Sequence, residues 1–223
     1  MSSLPVTYEM VRHSAEINTY IQQADASLIA LGFTEHSFAH VTRCAAVASH
    51  LLEELGADER TVELARIAGY MHDIGNLVNR VDHAQSGAVM AFRILDKMGM
   101  PPADTALVVT AIGNHDEGTA FPVNGVAAAL ILADKTDVRR SRVRGRDTIR
   151  FDIHDRVNWA VERSDLDLDK EQKTLTLRIQ LDTTVCPVMD YFEIFLERML
   201  LCRKAAEYFQ LSFRLEVNGQ TLL

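Results

Sequence analysis

Tyr70-Met71-His72-Asp73-Ile74-Gly75 sets a histidine beside an aspartate, after a mostly apolar run and before a glycine. A His-Asp dipeptide alone decides nothing, and the chain has two others, His115-Asp116 and His154-Asp155. The first pair is raised by its company. His40 lies upstream in one helical stretch and Asp134 downstream in another, so His40, His72, Asp73 and Asp134 supply two imidazoles and two carboxylates. That mixture of nitrogen and oxygen donors suits a divalent transition metal. Plainer roles compete residue by residue. Asp73 could cap a helix or pair with Arg66 or Arg80, and Asp134 could pair with Lys135 or an arginine of the 139–146 run. The order His, His-Asp, Asp, with each member in helical surroundings, favours the metal site.

Outward from this stretch, apolar residues recur at helical spacing over 8–31, and Gly32 is a stop. The next helix runs to about Leu55, capped by Thr34 or Ser37, with His36 and His40 one turn apart on one face. Gly56 ends it and Asp58 caps a third helix that finishes at His72-Asp73, where Gly75 is expected to take the left-handed terminal conformation. The partial negative charge of that helix end favours a cation. Helices follow over 83–98 and from Pro101-Pro102 to about His115, then a loop over 116–125. The eight apolar residues 126–133 read as a buried helix continuing through Asp134, a costly place for an unpaired carboxylate. A further helix is expected over 149–164.

The pattern then changes. Residues 164–173 are polar and mostly charged and read as a linker or an exposed turn. Leu175, Leu177, Ile179 and Leu181 alternate with polar residues, the period of a half-buried strand. A long amphipathic helix over 188–210 precedes a second alternation at Phe213, Leu215 and Val217, and Asn218-Gly219 is a two-residue hairpin signal. The expected architecture is mainly α: a helical domain over 1–165 and a small C-terminal α+β strand–helix–hairpin appendage over 166–223. An open edge of that sheet could recruit a second copy of the chain as a homodimer.

The chain has 223 residues, of which 48% are apolar and 24% charged, enough for a sizeable core and outside the range of disordered sequences. A net charge of −8 argues against nucleic acid as a partner. The N-terminus lacks a basic-then-apolar leader, and no apolar run nears the roughly 18 residues of a membrane span, so a cytoplasmic protein with no membrane association is expected. Cys44, Cys186 and Cys202 are odd in number and scattered, which reads as reduced core thiols.

Three segments, His40-Val41-Thr42-Arg43, His72-Asp73-Ile74-Gly75 and Ala133-Asp134-Lys135-Thr136-Asp137, together resemble the HD superfamily of metal-dependent phosphohydrolases, over roughly residues 30–140. The resemblance implies an HD-domain helical bundle in which His40, His72, Asp73 and Asp134 hold one metal in a cleft and Asp73 bridges to a second. The stretch from Asn114 to Pro122 resembles part of the HD-GYP subgroup, which implies His83 and His115 on the second metal and His36 as a further ligand. The chain departs from that subgroup at Asn114, at Ala120-Phe121 and at Asn76, where the subgroup has lysine, so cyclic-di-GMP hydrolysis does not follow.

What the resemblance does imply is hydrolysis of a small phosphomonoester or phosphodiester, nucleotide-like, through a metal-activated water. One or two divalent ions serve it, Fe or Mn in preference to Mg given the histidine count. Asp73 and Lys135 are the candidate catalytic residues, and Arg43 and Arg139 the candidate substrate contacts. Arg139, Arg140, Arg142, Arg144, Arg146 and Arg150 form either a phosphate-binding rim or a solvated surface paired with Asp137, Asp147 and Asp152. Two other functions fit the same residues: a non-catalytic HD module that binds a ligand or signalling partner, and a di-iron HD-type oxygenase.

Overall fold

Ser14 divides the first predicted helix in two. Its side chain accepts from the Ile17 amide and restarts the chain as α2 (Ala15–Ala30), after a short α1 (Tyr8–Arg12). The apolar period runs through the break, which is why spacing alone reads as one helix. A computed structural model describes residues 5–145 and 152–222. By contacts the chain falls into two units, Met1–Asp134 and Lys135–Leu223.

In the first unit α3 spans Phe38–Glu54, α4 Glu59–Met71, α5 His83–Lys97, α6 Pro102–Gly113 and α7 Gly125–Lys135. Local chemistry places these boundaries. Asp58 accepts from the Thr61 amide at the start of α4, Pro102 occupies the first turn of α6, and the Asn124 side chain accepts from the Ala127 amide in α7. Gly32, Gly56 and Gly99 follow helix ends with positive φ. Ser37 wins the cap of α3 by accepting from the Ala39 amide, so His36 stands outside the helix and not one turn below His40 on it.

α3 packs against α4, α4 against α6, and α5 against α6. The first of these contacts is tight at Gly69, where a β-carbon would come 2.6 Å from the Ala45 backbone. Residues 126–133 of α7 are entirely buried, and each of Val126, Leu130, Ile131 and Leu132 contributes about 1.5–3 kcal/mol by leaving water. A 3-10 turn, Ile74–Leu77, follows the His-Asp pair and packs on α2 and α5. Gly75 does not take the left-handed conformation expected of it. A β-carbon there would lie 2.0 Å from the His83 carbonyl oxygen and 2.5 Å from the Gly87 nitrogen, so glycine is needed for close approach to α5.

The second unit holds a 3-10 turn (Arg140–Arg142), α8 (Ile153–Ala160), β1 (Val161–Asp169), β2 (Thr174–Leu181), α9 (Val188–Tyr208), β3 (Ser212–Val217) and β4 (Gln220–Thr221). The sheet has the order β1-β2-β3-β4. β1 and β2 are antiparallel, β2 and β3 parallel, and β3 and β4 antiparallel. α9 crosses between the two parallel strands and packs on β3. The hairpin signal is met: Asn218 and Gly219 have φ of 51 and 79.

The polar stretch read as a linker is β1, paired residue for residue with β2 from Arg163↔Gln180 to Asp169↔Thr174. Leu166 and Leu168 carry a short alternation that the surrounding aspartates obscure. The helix expected over 149–164 ends at Ala160, where the strand begins; residues 149–151, with Arg146, Asp147 and Arg150, lie outside the described residues. Sequence character changes at 165/166, but contacts group α8 with β1 and α9, and Ser164 Oγ donates to the Thr136 carbonyl.

Among the described residues no helix is long and apolar enough to cross a membrane.

Candidate metal centre

The donor atoms of the first unit gather where helices end. His72 caps the C-terminus of α4 and Asp73 follows it, His83 opens α5, His115 lies just beyond α6, and Asp134 is the penultimate residue of α7. His40 comes from the first turn of α3. The close α3–α4 contact at Gly69 brings the His40 and His72 rings to 5.1 Å between centroids. Asp82, at φ 56, turns the chain into α5 so that His83 faces back toward the His-Asp pair.

Four atoms form one group. His40 Nε2 is 3.5 Å from Asp73 Oδ2 and 3.3 Å from Asp134 Oδ1; His72 Nε2 is 3.3 Å from Asp73 Oδ2 and 3.8 Å from Asp134 Oδ1. A second group uses the other Asp73 oxygen. Asp73 Oδ1 is 3.5 Å from His83 Nε2, which is 3.2 Å from His115 Nε2. Asp116 Oδ1 stands 3.9 Å from His83 Nε2. Bonds of about 2.0–2.2 Å to a tetrahedral ion place donors roughly 3.3–3.6 Å apart. The distances from Asp73 to His40, His72 and His83, from His40 to Asp134 and between His83 and His115 are close to that.

The rings are set for lone-pair donation. His72 Nδ1 donates to the Gly69 carbonyl at 2.8 Å, His83 Nδ1 to the Arg80 carbonyl at 3.1 Å and His115 Nδ1 to the Ile112 carbonyl at 2.6 Å. With the proton held at Nδ1, each Nε2 presents a lone pair. At 3.2 Å the His83 and His115 nitrogens therefore face each other as two acceptors. Gly69 and Ile112 lie in the last turns of α4 and α6, so the same bonds satisfy carbonyls that a helix end leaves over.

Two buried atoms 3.3 Å apart, His72 Nε2 and Asp73 Oδ2, have no hydrogen-bond partner. Leaving such groups unpaired is expensive, and a cation between them removes the cost. Burial works against charge on Asp73, yet His72, then His36 and His40, hold its carboxyl well below the usual range. Burial likewise opposes charge on His72, but Asp73 and then Asp134 raise its pKa. The centre thus favours positive charge at its middle. By donor chemistry, spacing and these orphaned atoms, the residues present fit a divalent metal.

The outer candidates differ. His36 is half-buried, with Nδ1 donating to the Thr34 carbonyl at 2.8 Å and its ring 5.4 Å from that of His40. Arg43 is exposed on α3. Lys135 is buried in the second unit, as is Asp137, whose carboxylate accepts from Arg139 Nε at 2.8 Å. Arg139 also donates to Ser141, Arg142 donates to the Asp137 carbonyl, and Arg140 donates to the Trp159 carbonyl with its guanidinium over the Trp159 ring. These members of the basic run are engaged within their own unit. His13, His50 and His154 are exposed.

Cys44, expected only to fill core, is buried beside the first group, within 4.8 Å of donor atoms of His40, His72 and Asp134. Its place four residues after His40 on a helix was the available signal.

A family model described as the HD domain matches residues 37–157, more than half of the chain. The chain belongs to the HD domain family. An uncharacterized protein of Methanocaldococcus jannaschii is 25% identical over 182 residues, covering 71% of this chain and 70% of that protein. A crystal structure of a predicted HD superfamily hydrolase from an uncultured Thermotogales bacterium is 28% identical. That alignment covers 57% of this HD protein and 69% of the other chain, with a TM-score of 0.45.

Proposed function

We propose that this HD protein is a metal-dependent phosphohydrolase with a dinuclear centre, acting on a small phosphomonoester or phosphodiester of nucleotide-like character. The observation that carries the reading is the division of Asp73. Its Oδ2 faces His40 and His72, while its Oδ1 faces His83. One carboxylate so placed serves two ions. His40, His72 and Asp134 complete one set, His83 and His115 the other, and His36 stands at the edge.

A divalent ion in such a site lowers the pKa of a bound water and draws charge from a phosphoryl group. The protein's own contribution is orientation. The carbonyl-held Nδ1 atoms keep the Nε2 lone pairs aimed inward, and the C-terminal ends of α4, α6 and α7, beside His72, His115 and Asp134, contribute partial negative charge. The number of imidazoles favours Fe or Mn over Mg.

Metal content and turnover of a panel of phosphomonoesters and phosphodiesters, measured on wild type and Asp73→Ala, test this reading. The variant should lose both ions and more than about a hundred-fold in activity, since even outer partners of a ligand are worth 10–100-fold. No bound metal in the wild type, and equal turnover by the two proteins, would overturn it.

A further inference from the structure

We propose that Arg80 is the anion-binding residue of the centre, its guanidinium set beside His83 to take a phosphoryl oxygen of the substrate. The inference rests on the dinuclear reading above. Arg80 lies in the turn between the Ile74–Leu77 segment and α5, partly exposed. Its Nη1 is 3.3 Å from His83 Nε2 and 3.3 Å from Asn76 Oδ1. Its carbon Cζ stands 5.6 Å from the centroid of the Phe33 ring, an exposed aromatic that steadies the guanidinium by cation–π attraction. Among the described residues no carboxylate pairs with it. The chain has no cation at position 76; Asn76 ties the two sites together, its amide donating to Asp73 Oδ1 at 2.9 Å while its oxygen accepts from Arg80.

Arg80 meets both nitrogens of one ring. Its carbonyl accepts from His83 Nδ1, and its Nη1 donates to His83 Nε2. When the Nε2 lone pair is given to a metal, that N–H needs another acceptor. The oxyanion of a substrate held at the same metal is the group in reach, and the planar guanidinium offers paired donors to it.

The test uses full-length protein loaded with Mn(II) and titrated with inorganic phosphate by calorimetry, with metal affinity measured separately, for wild type, Arg80→Ala and Arg80→Lys. Phosphate should bind about 10- to 100-fold more weakly to Arg80→Ala, the worth of a charge-assisted hydrogen bond, with Arg80→Lys between the two. Metal should bind Arg80→Ala as tightly as wild type or tighter, because a competitor for His83 Nε2 is gone. Equal phosphate affinity in wild type and Arg80→Ala, or a parallel loss of metal and phosphate, overturns the role of Arg80 and leaves the metal centre standing. A wild type that takes up no metal overturns both.

Discussion

Replacing Gly75 by alanine should remove the proposed second metal position and spare most of the fold. The added β-carbon would lie 2.0 Å from the His83 carbonyl oxygen, 2.5 Å from the Gly87 nitrogen and 2.7 Å from Ser86 Oγ. Ordinary contact begins at 3.4 Å, so the start of α5 must retreat by about 1.4 Å. Metal ligands hold their distances to about 0.2 Å, and His83 is the residue pushed. Overpacking of this kind costs about 1–3 kcal/mol. Gly87→Ala grades the effect: its β-carbon would meet the Gly75 nitrogen and the His72 carbonyl at 3.2 Å, which needs only a few tenths of an ångström. The helix propensity gained by alanine, about 0.5–1 kcal/mol, offsets much of that. Metal content and thermal unfolding of both variants are the assay. On the proposed dinuclear reading, wild type should bind two ions, Gly75→Ala should bind one and melt lower, and Gly87→Ala should keep two at nearly unchanged Tm. Two ions in Gly75→Ala at wild-type Tm would refute the close approach as the reason for glycine.

Three further outcomes are expected. Asn218→Ala should destabilise the second unit by about 2–3 kcal/mol in urea unfolding, because alanine resists φ of 51 and loses the side-chain bonds to the Leu181 amide and carbonyl, at 2.8 and 2.9 Å; Asn218→Gly should recover the backbone part alone. Cys186 is buried, and burial followed by the nearby Asp190 raises its pKa to about 11, so Ellman's reagent at about pH 8 should leave it unmodified until the protein unfolds. In the metal-free protein, Asp73 is depressed from 3.8, so its stabilising charge is present above about pH 4 and lost as pH falls through its folded pKa; His72 is raised from 6.5, so its contribution is present below about pH 6.5 and lost as pH rises through its folded pKa. Chelator-treated protein should therefore be most stable between roughly pH 4 and 6.5, and metal-loaded protein should gain stability toward higher pH, where protons no longer compete; a metal-free Tm that climbs steadily to pH 8 would contradict the assignment.

The helical order of the first unit was legible because its signals are local: Asp58, Gly56, Pro102 and the apolar run of α7 each act within one turn of the chain. The same holds for Asn218-Gly219. What escaped the sequence depends on distant partners. β1 is a strand because β2 lies beside it, and Gly75 is a glycine because α5 lies against it. His36 looked helical by spacing, but Ser37 competes for the cap. The candidate donors His40, His72, Asp73, His83, His115 and Asp134 were named from residue types, order and resemblance, and the structure brings their atoms together. From sequence Arg80 reads only as a possible partner of Asp73 and Cys44 only as core, since their approach to the donors is a matter of a few ångströms that spacing does not encode.

Three histidines of the proposed centre share one bracing bond. His72, His83 and His115 each donate from Nδ1 to the carbonyl three residues earlier in their own segment. The aim of each ring is therefore carried by a stretch of four residues and owes little to the segments that connect them. Loops between these stretches can lengthen, shorten or change composition and the lone pairs still point the same way. Such a centre is portable: the four-residue units, grafted at helix ends of another bundle that converge to the same distances, should bring their ligand geometry with them.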